Sequence, residues 1–250
     1  MALFKSGNPA LSSDKFEQVG NAAQGRGDTM TLKGTVDKTA ILLLVLIIPA
    51  LYTWNVFTET PDFSALKPYF YTGLAGGLVI ALIMTFKASL APVLAPVYAF
   101  LQGLFLGGIS AFMNNIFPGI VLQAIILTVG ICALLLVIYK LEIIKATENF
   151  KLIVTSATGV LALYYIASFG LSFVGIQLPL IHENSMWGII FSLFVVVIAA
   201  MNLVVDFDFI EKGAKNGAPK YMEWYGAFGL MVTIIWLYIE LLRLLSKIRK

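Results

Sequence analysis

The sequence predicts an all-α, polytopic membrane protein, a bundle of seven transmembrane helices, and three observations carry that prediction. Hydrophobic residues fill 59% of the 250 positions and charged residues only 12%, against about 25% charged in soluble domains. The mean hydropathy is +0.89. The apolar residues also fall in blocks of spanning length. Met186 to Val205 carries no charge, and a helix of about 20 residues matches the roughly 30 Å hydrocarbon core of a bilayer. Such blocks differ from the short alternating strands of a closed barrel, the other structure that can cross a membrane.

Residues 1–38 are polar and glycine-rich, with five basic and four acidic residues and no apolar run typical of a cleavable signal. They read as a cytoplasmic tail with a short docking segment around Leu11 to Val19. The first span is placed at 39–57, with Pro49 near its middle. Proline removes one backbone donor and kinks a helix, which a bundle tolerates when neighbours satisfy the freed carbonyl. The second span, 69–86, contains Gly73, Gly76 and Gly77. In the third, 92–113, small residues recur every four positions at Ala95, Ala99, Gly103, Gly107 and Ala111, continuing from Ala91. That stripe predicts a face where another backbone approaches closely, and ordinary helix packing is its reading.

The turn Asn114-Asn115 with Pro118 leads into the fourth span, 119–139. The fifth, 152–174, carries Thr155, Ser156, Thr158, Ser168 and Ser172, hydroxyls expected to bond back to the carbonyl four residues earlier. The loop 177–185 holds His182. The sixth span covers 186–208 and the seventh 225–245.

Several function classes are set aside on composition. A net charge of +3 gives no reason to expect nucleic acid. Cys132 is the only cysteine and His182 the only histidine, so no disulfide forms within the chain and neither a Cys/His metal cluster nor a Ser-His-Asp triad is expected. Ser168 and Ser192 lack a base at membrane depth. No phosphate-binding loop or nucleophile elbow is present. An enzyme, with catalytic residues, is not expected.

With the N-terminus inside, alternating loops put 12 Lys and Arg on the inner side and five on the outer. The positive-inside rule then assigns the N-terminus to the cytoplasm. Four of the five outer charges form the C-terminal cluster Arg243, Lys247, Arg249 and Lys250, which opposes that assignment unless the last segment is re-entrant. Glu240 and Arg243 stand three apart and are expected to pair at an interfacial helix end.

The sixth span runs into Asp206 and Asp208, set between Val205, Phe207, Phe209 and Ile210. An acid in apolar sequence at a span's end is costly unless partnered, and its default reading is functional. Two residues apart, the two carboxylates point about 200° apart on a straight helix and do not easily share one ion. Glu211 and Glu223 can approach Asp206 from the cytoplasmic side. The plainer reading is that Asp206 and Asp208 cap the loop and pair with Lys212 or Lys215 at the membrane surface.

Five strings share an order and spacing: Asn8-Pro-Ala-Leu11, Met30-Thr-Leu-Lys-Gly-Thr35, the run from Ala95 to Ala111, Asn202-Leu-Val-Val-Asp-Phe-Asp-Phe-Ile-Glu211, and Ala218-Pro-Lys-Tyr-Met-Glu-Trp-Tyr225. Together they resemble the bacterial Bax inhibitor-1-like family, in its branch with a longer polar N-terminus. The resemblance implies a bundle with the seventh helix central and a pH-sensitive calcium leak in the inner membrane. It also implies two aspartates, on the sixth and seventh helices, that share a proton. Asp206 matches the first, and Thr233 stands where the second is expected. A plug formed by Asp206 with Thr233 opposite is therefore the sharper reading, with Asp208 a further candidate. No cofactor is expected beyond transient Ca2+. Some relatives restrain a membrane quality-control protease, so a non-transporting regulator of other membrane proteins is the alternative. The bilayer is the one partner implied throughout; the sequence leaves the oligomeric state open.

Overall fold

Thr31 starts the first helix: its hydroxyl oxygen accepts from the Gly34 N–H at 3.0 Å and closes an N-cap. In the computed structural model, which describes residues 29–249 apart from Phe173, Ile176, Gln177, Ile181, His182 and Asn184, seven long helices follow. They are α1 (Leu32–Glu59), α2 (Phe63–Phe86), α3 (Ala91–Ile116), α4 (Ile120–Lys140), α5 (Glu148–Ser172), α6 (Met186–Lys215) and α7 (Met222–Ile248). Each is long and apolar enough to cross a bilayer. The segment Leu11 to Val19 and His182 lie outside the described residues.

α1 begins at Leu32, inside the stretch read as a polar tail. Its first turns carry Lys33, Asp37 and Lys38, a composition that reads as loop but belongs to a helix end rising out of the membrane. At the start of α2, the Asp62 carboxylate accepts from the Ser64 hydroxyl and from its N–H, the latter at 2.9 Å. Those two bonds hold the exposed Asp62 carboxyl below its usual range.

The small-residue stripe forms the seam between α3 and α1. A Cβ on Gly103 would stand 2.2 Å from the Leu46 carbonyl oxygen and 2.5 Å from the Pro49 ring. One on Gly107 would stand 2.1 Å from the Ala50 carbonyl oxygen. Ala91, Ala95 and Ala99 are wholly buried, and Ala111 packs with Phe57 and Leu66. Pro49 therefore sits where two backbones cross, opposite the residue with no side chain. α2 leans on the other side of α3, through Gly73 and Gly77.

α7 packs against α1, α3, α4 and α6, and no residue between Met222 and Lys247 is exposed. The last helix is thus the axis of the seven-helix bundle. α2 and α5 are at the rim, with apolar outer faces such as Leu78, Val160 and Leu163 turned outward. In a bilayer those faces meet lipid, where every backbone polar group is already satisfied within its helix.

The C-terminal cations have partners inside the bundle. α7 is a continuous helix of 27 residues, about 40 Å long, long and apolar enough for a full crossing. At its far end Lys247 donates to the Leu180 and Gly188 carbonyls at 2.7 and 2.9 Å. Arg249 donates to the Pro118 carbonyl and to Gln123 Oε1, both at 2.8 Å. These cations close the α3–α4 and α5–α6 connections, at the end of the bundle opposite Thr29.

Candidate functional site: a buried carboxylate between the central helices

α6 descends and α7 rises beside it, so residues midway along each face one another. Asp206 is fully buried and Thr233 is 3% exposed. The Thr233 hydroxyl donates to Asp206 Oδ2 at 2.5 Å, and the same hydroxyl lies 3.3 Å from the Gly229 carbonyl one turn back. Asp206 is therefore enclosed by the bundle and bonded to Thr233, where the plainer reading set it beside Lys212 or Lys215. One turn before it, Asn202 donates to Thr158 Oγ1 of α5 and to the Ile198 carbonyl, each at 2.8 Å. Thr158 thus ties α5 to α6, where the sequence suggested only a bond within its own helix.

Asp208 points away from α7, as the 200° offset requires. It pairs with Lys151 of α5 at 2.7 Å and with Lys212 at 2.9 Å. Glu211 pairs with Lys215 at 2.6 Å and accepts from the Tyr139 hydroxyl. These acids knit the lysine-rich end of the bundle together.

Glu223 occupies a second buried position, in the first turn of α7. It accepts from the Thr31 N–H at 2.9 Å and the Thr31 hydroxyl at 2.8 Å, pairs with Lys38, and has Lys220 at 3.2 Å. Beside it the Met30 N–H donates to the Ala218 carbonyl, and Thr29 bridges to Pro219. Gly34 leaves room for the carboxylate, since a Cβ there would fall 2.2 Å from it and Glu223 would have to shift. Glu223 is thus the pin of a clasp between the start of α1 and the α6–α7 turn; its bonds run to α1 and the turn, where the sequence reading turned it toward Asp206. Two of the strings that carried the resemblance, Met30 to Thr35 and Ala218 to Tyr225, meet in this clasp.

A third cluster lies toward the opposite end. Glu240 is 2% exposed, pairs with Arg243 at 2.7 Å, and accepts from the Tyr165 hydroxyl at 3.1 Å and the Trp236 indole N–H at 3.3 Å. The sequence reading placed this pair at an interface and missed Tyr165. A signal was present, because Thr233, Glu240 and Lys247 are seven apart and share one face of α7.

A cavity of about 1020 Å³ opens at the lysine-rich end, between α1 and α4, with α6 and α7 as its floor. Phe207 and Ile234 line it, the chain neighbours of Asp206 and Thr233, but the pair itself does not. Among the described residues no three His, Cys, Asp or Glu side chains gather to hold a metal ion.

The fold and site define a class: a seven-helix membrane bundle with a fully buried carboxylate bonded between α6 and α7, and a wide cavity lined by the chain neighbours of that pair. A family model described as Bax inhibitor 1 like matches residues 8–250, and the chain belongs to that family. No curated protein and no solved structure matches it.

Proposed function

We propose that the protein is a proton-sensitive leak for small cations in the cell's inner membrane, with Asp206 as the plug and Thr233 as its seat. The observation that carries this reading is the wholly buried Asp206 carboxylate bonded to Thr233 across α6 and α7, next to the floor of the cavity. A carboxylate in that position exchanges a negative charge for a neutral, hydrogen-bonded acid when it takes up a proton, and the two forms bind cations and the Thr233 hydroxyl differently. Calcium is the ion that the family resemblance suggests, passing through rather than residing, since passage requires weak binding. The lysine-rich end, with Lys33, Lys38, Lys140, Lys151, Lys212 and Lys215, faces the cytoplasm by the positive-inside rule. The cavity is then the cytoplasmic vestibule.

The test is calcium flux across liposomes at a series of pH values, with wild type and Asp206→Asn compared at equal incorporation. Wild type is expected to pass calcium with a pH-dependent rate, and Asp206→Asn to lose that dependence. The same pH-dependent flux in both proteins rejects the plug.

A further inference from the structure

We propose that the cavity between α1 and α4 is a binding site for an anionic phospholipid, its phosphate held by Lys33 and Lys140 and its acyl chain laid along the apolar wall. This inference rests on the proposed function for the cavity's cytoplasmic placement, but on residues other than Asp206 and Thr233. The walls combine two chemistries. The deeper part is apolar, with Leu43 and Ala40 from α1 facing Val129, Cys132 and Ala133 from α4. The mouth is basic, with Lys33, Lys140, Lys145 and Lys215.

The acids on the wall are already neutralised from within. Glu142 pairs with Lys145 at 3.0 Å, Glu211 with Lys215, and Asp208 with Lys151 and Lys212. Lys33 and Lys140 remain, with no ion-pair partner among the described residues, so the mouth carries positive charge that asks for an anion. Basic pockets between transmembrane helices on the cytoplasmic side suit anionic headgroups for this reason.

The site is also placed where lipid reaches it. Val36 and Val129 line the cavity and are 64% and 62% exposed on the bundle's flank, so the opening gives onto the bilayer from the start of α1 to the middle of α4. Its volume is at the upper end of small-molecule pockets, which run to about 1,000 Å³, enough for a headgroup and part of a chain. An apolar wall left against water is costly, and a lipid chain covers it. Residues 1–28 are a poorer occupant by charge, because Lys5, Lys15 and Arg26 are balanced by Asp14, Glu17 and Asp28.

Native mass spectrometry of the full chain, released from micelles with added phosphatidylglycerol or phosphatidylcholine, tests the site. Wild type is expected to retain phosphatidylglycerol in preference. A basic residue near the surface contributes about five-fold to binding an anionic lipid, so Lys33→Gln with Lys140→Gln is expected to weaken phosphatidylglycerol by about 25-fold and leave phosphatidylcholine unchanged. Ala133→Trp fills the apolar wall while keeping both lysines, and is expected to lose phosphatidylglycerol as well. Unfolding midpoints near wild type certify both variants. The proposal is overturned by equal retention of the two lipids in wild type, or by an unchanged preference in the double lysine variant. Full retention in Ala133→Trp, or binding that appears only after residues 1–28 are deleted, overturns it too.

Discussion

Glu223→Ala is expected to cost about 3 kcal/mol of stability, the lower part of the range for removing one partner of a buried ion pair. Glu223 is fully buried and serves four donors, so its loss leaves Thr31 without an acceptor for either its N–H or its hydroxyl. Lys38 loses its partner while its side chain remains only 17% exposed. Its ammonium keeps one compensation, the Trp224 ring 5.6 Å away, and the lysine stem reaches toward water, so the cost stays below the extreme. Glu223→Gln retains an oxygen for Thr31 and removes the charge, and should cost about half as much. Unfolding in mixed micelles measures both. Equal stability of wild type and Glu223→Ala would show that the clasp at the start of α1 contributes nothing.

Gly107→Ala should destabilise the bundle by about 2 kcal/mol, although alanine is the better helix former by about 1 kcal/mol. The sign is decided by what the new methyl meets. At 2.1 Å from the Ala50 carbonyl oxygen and 2.6 Å from its Cα, it meets backbone, which cannot rotate away as a side chain tip would. α1 and α3 must separate, and in a bilayer their close packing is most of what holds them together. Gly130→Ala is the matched control. On α4 a Cβ there has nothing within 4 Å, so the propensity gain is expected to appear alone as a neutral or slightly stabilising change. If both substitutions behave alike, the α1–α3 seam is looser than these contacts require.

The bundle was legible because its signal is composition over 20-residue windows, which tertiary contacts do not alter. The packing face of α3 was legible for a similar reason, since its small residues recur at the helical period. Asp206 stood out because an acid inside apolar sequence is costly, and the resemblance supplied Thr233 as its neighbour. Other features depend on which helices meet, and one-dimensional sequence does not contain that. Polar turns at the start of α1 look the same as a flexible tail until Thr31 finds Glu223, 192 positions away. Glu240 and Arg243 read as a helix end from their nearness to the C-terminus; their bonds to Tyr165 depend on α5 lying beside α7. The cavity exists only because α1 and α4 both lean on α7 and form opposite walls, an arrangement that neither sequence encodes alone.

A plug at Asp206 requires its carboxyl to take up and release a proton inside the bundle. Infrared difference spectroscopy of the protein in lipid, recorded as pH is stepped, observes that event through the carbonyl stretch of a protonated carboxylic acid. A pH-dependent band is expected in wild type that vanishes in Asp206→Asn and shifts in Thr233→Val, where the hydroxyl that bonds the carboxyl is gone. A difference spectrum in Asp206→Asn identical to that of wild type would contradict it.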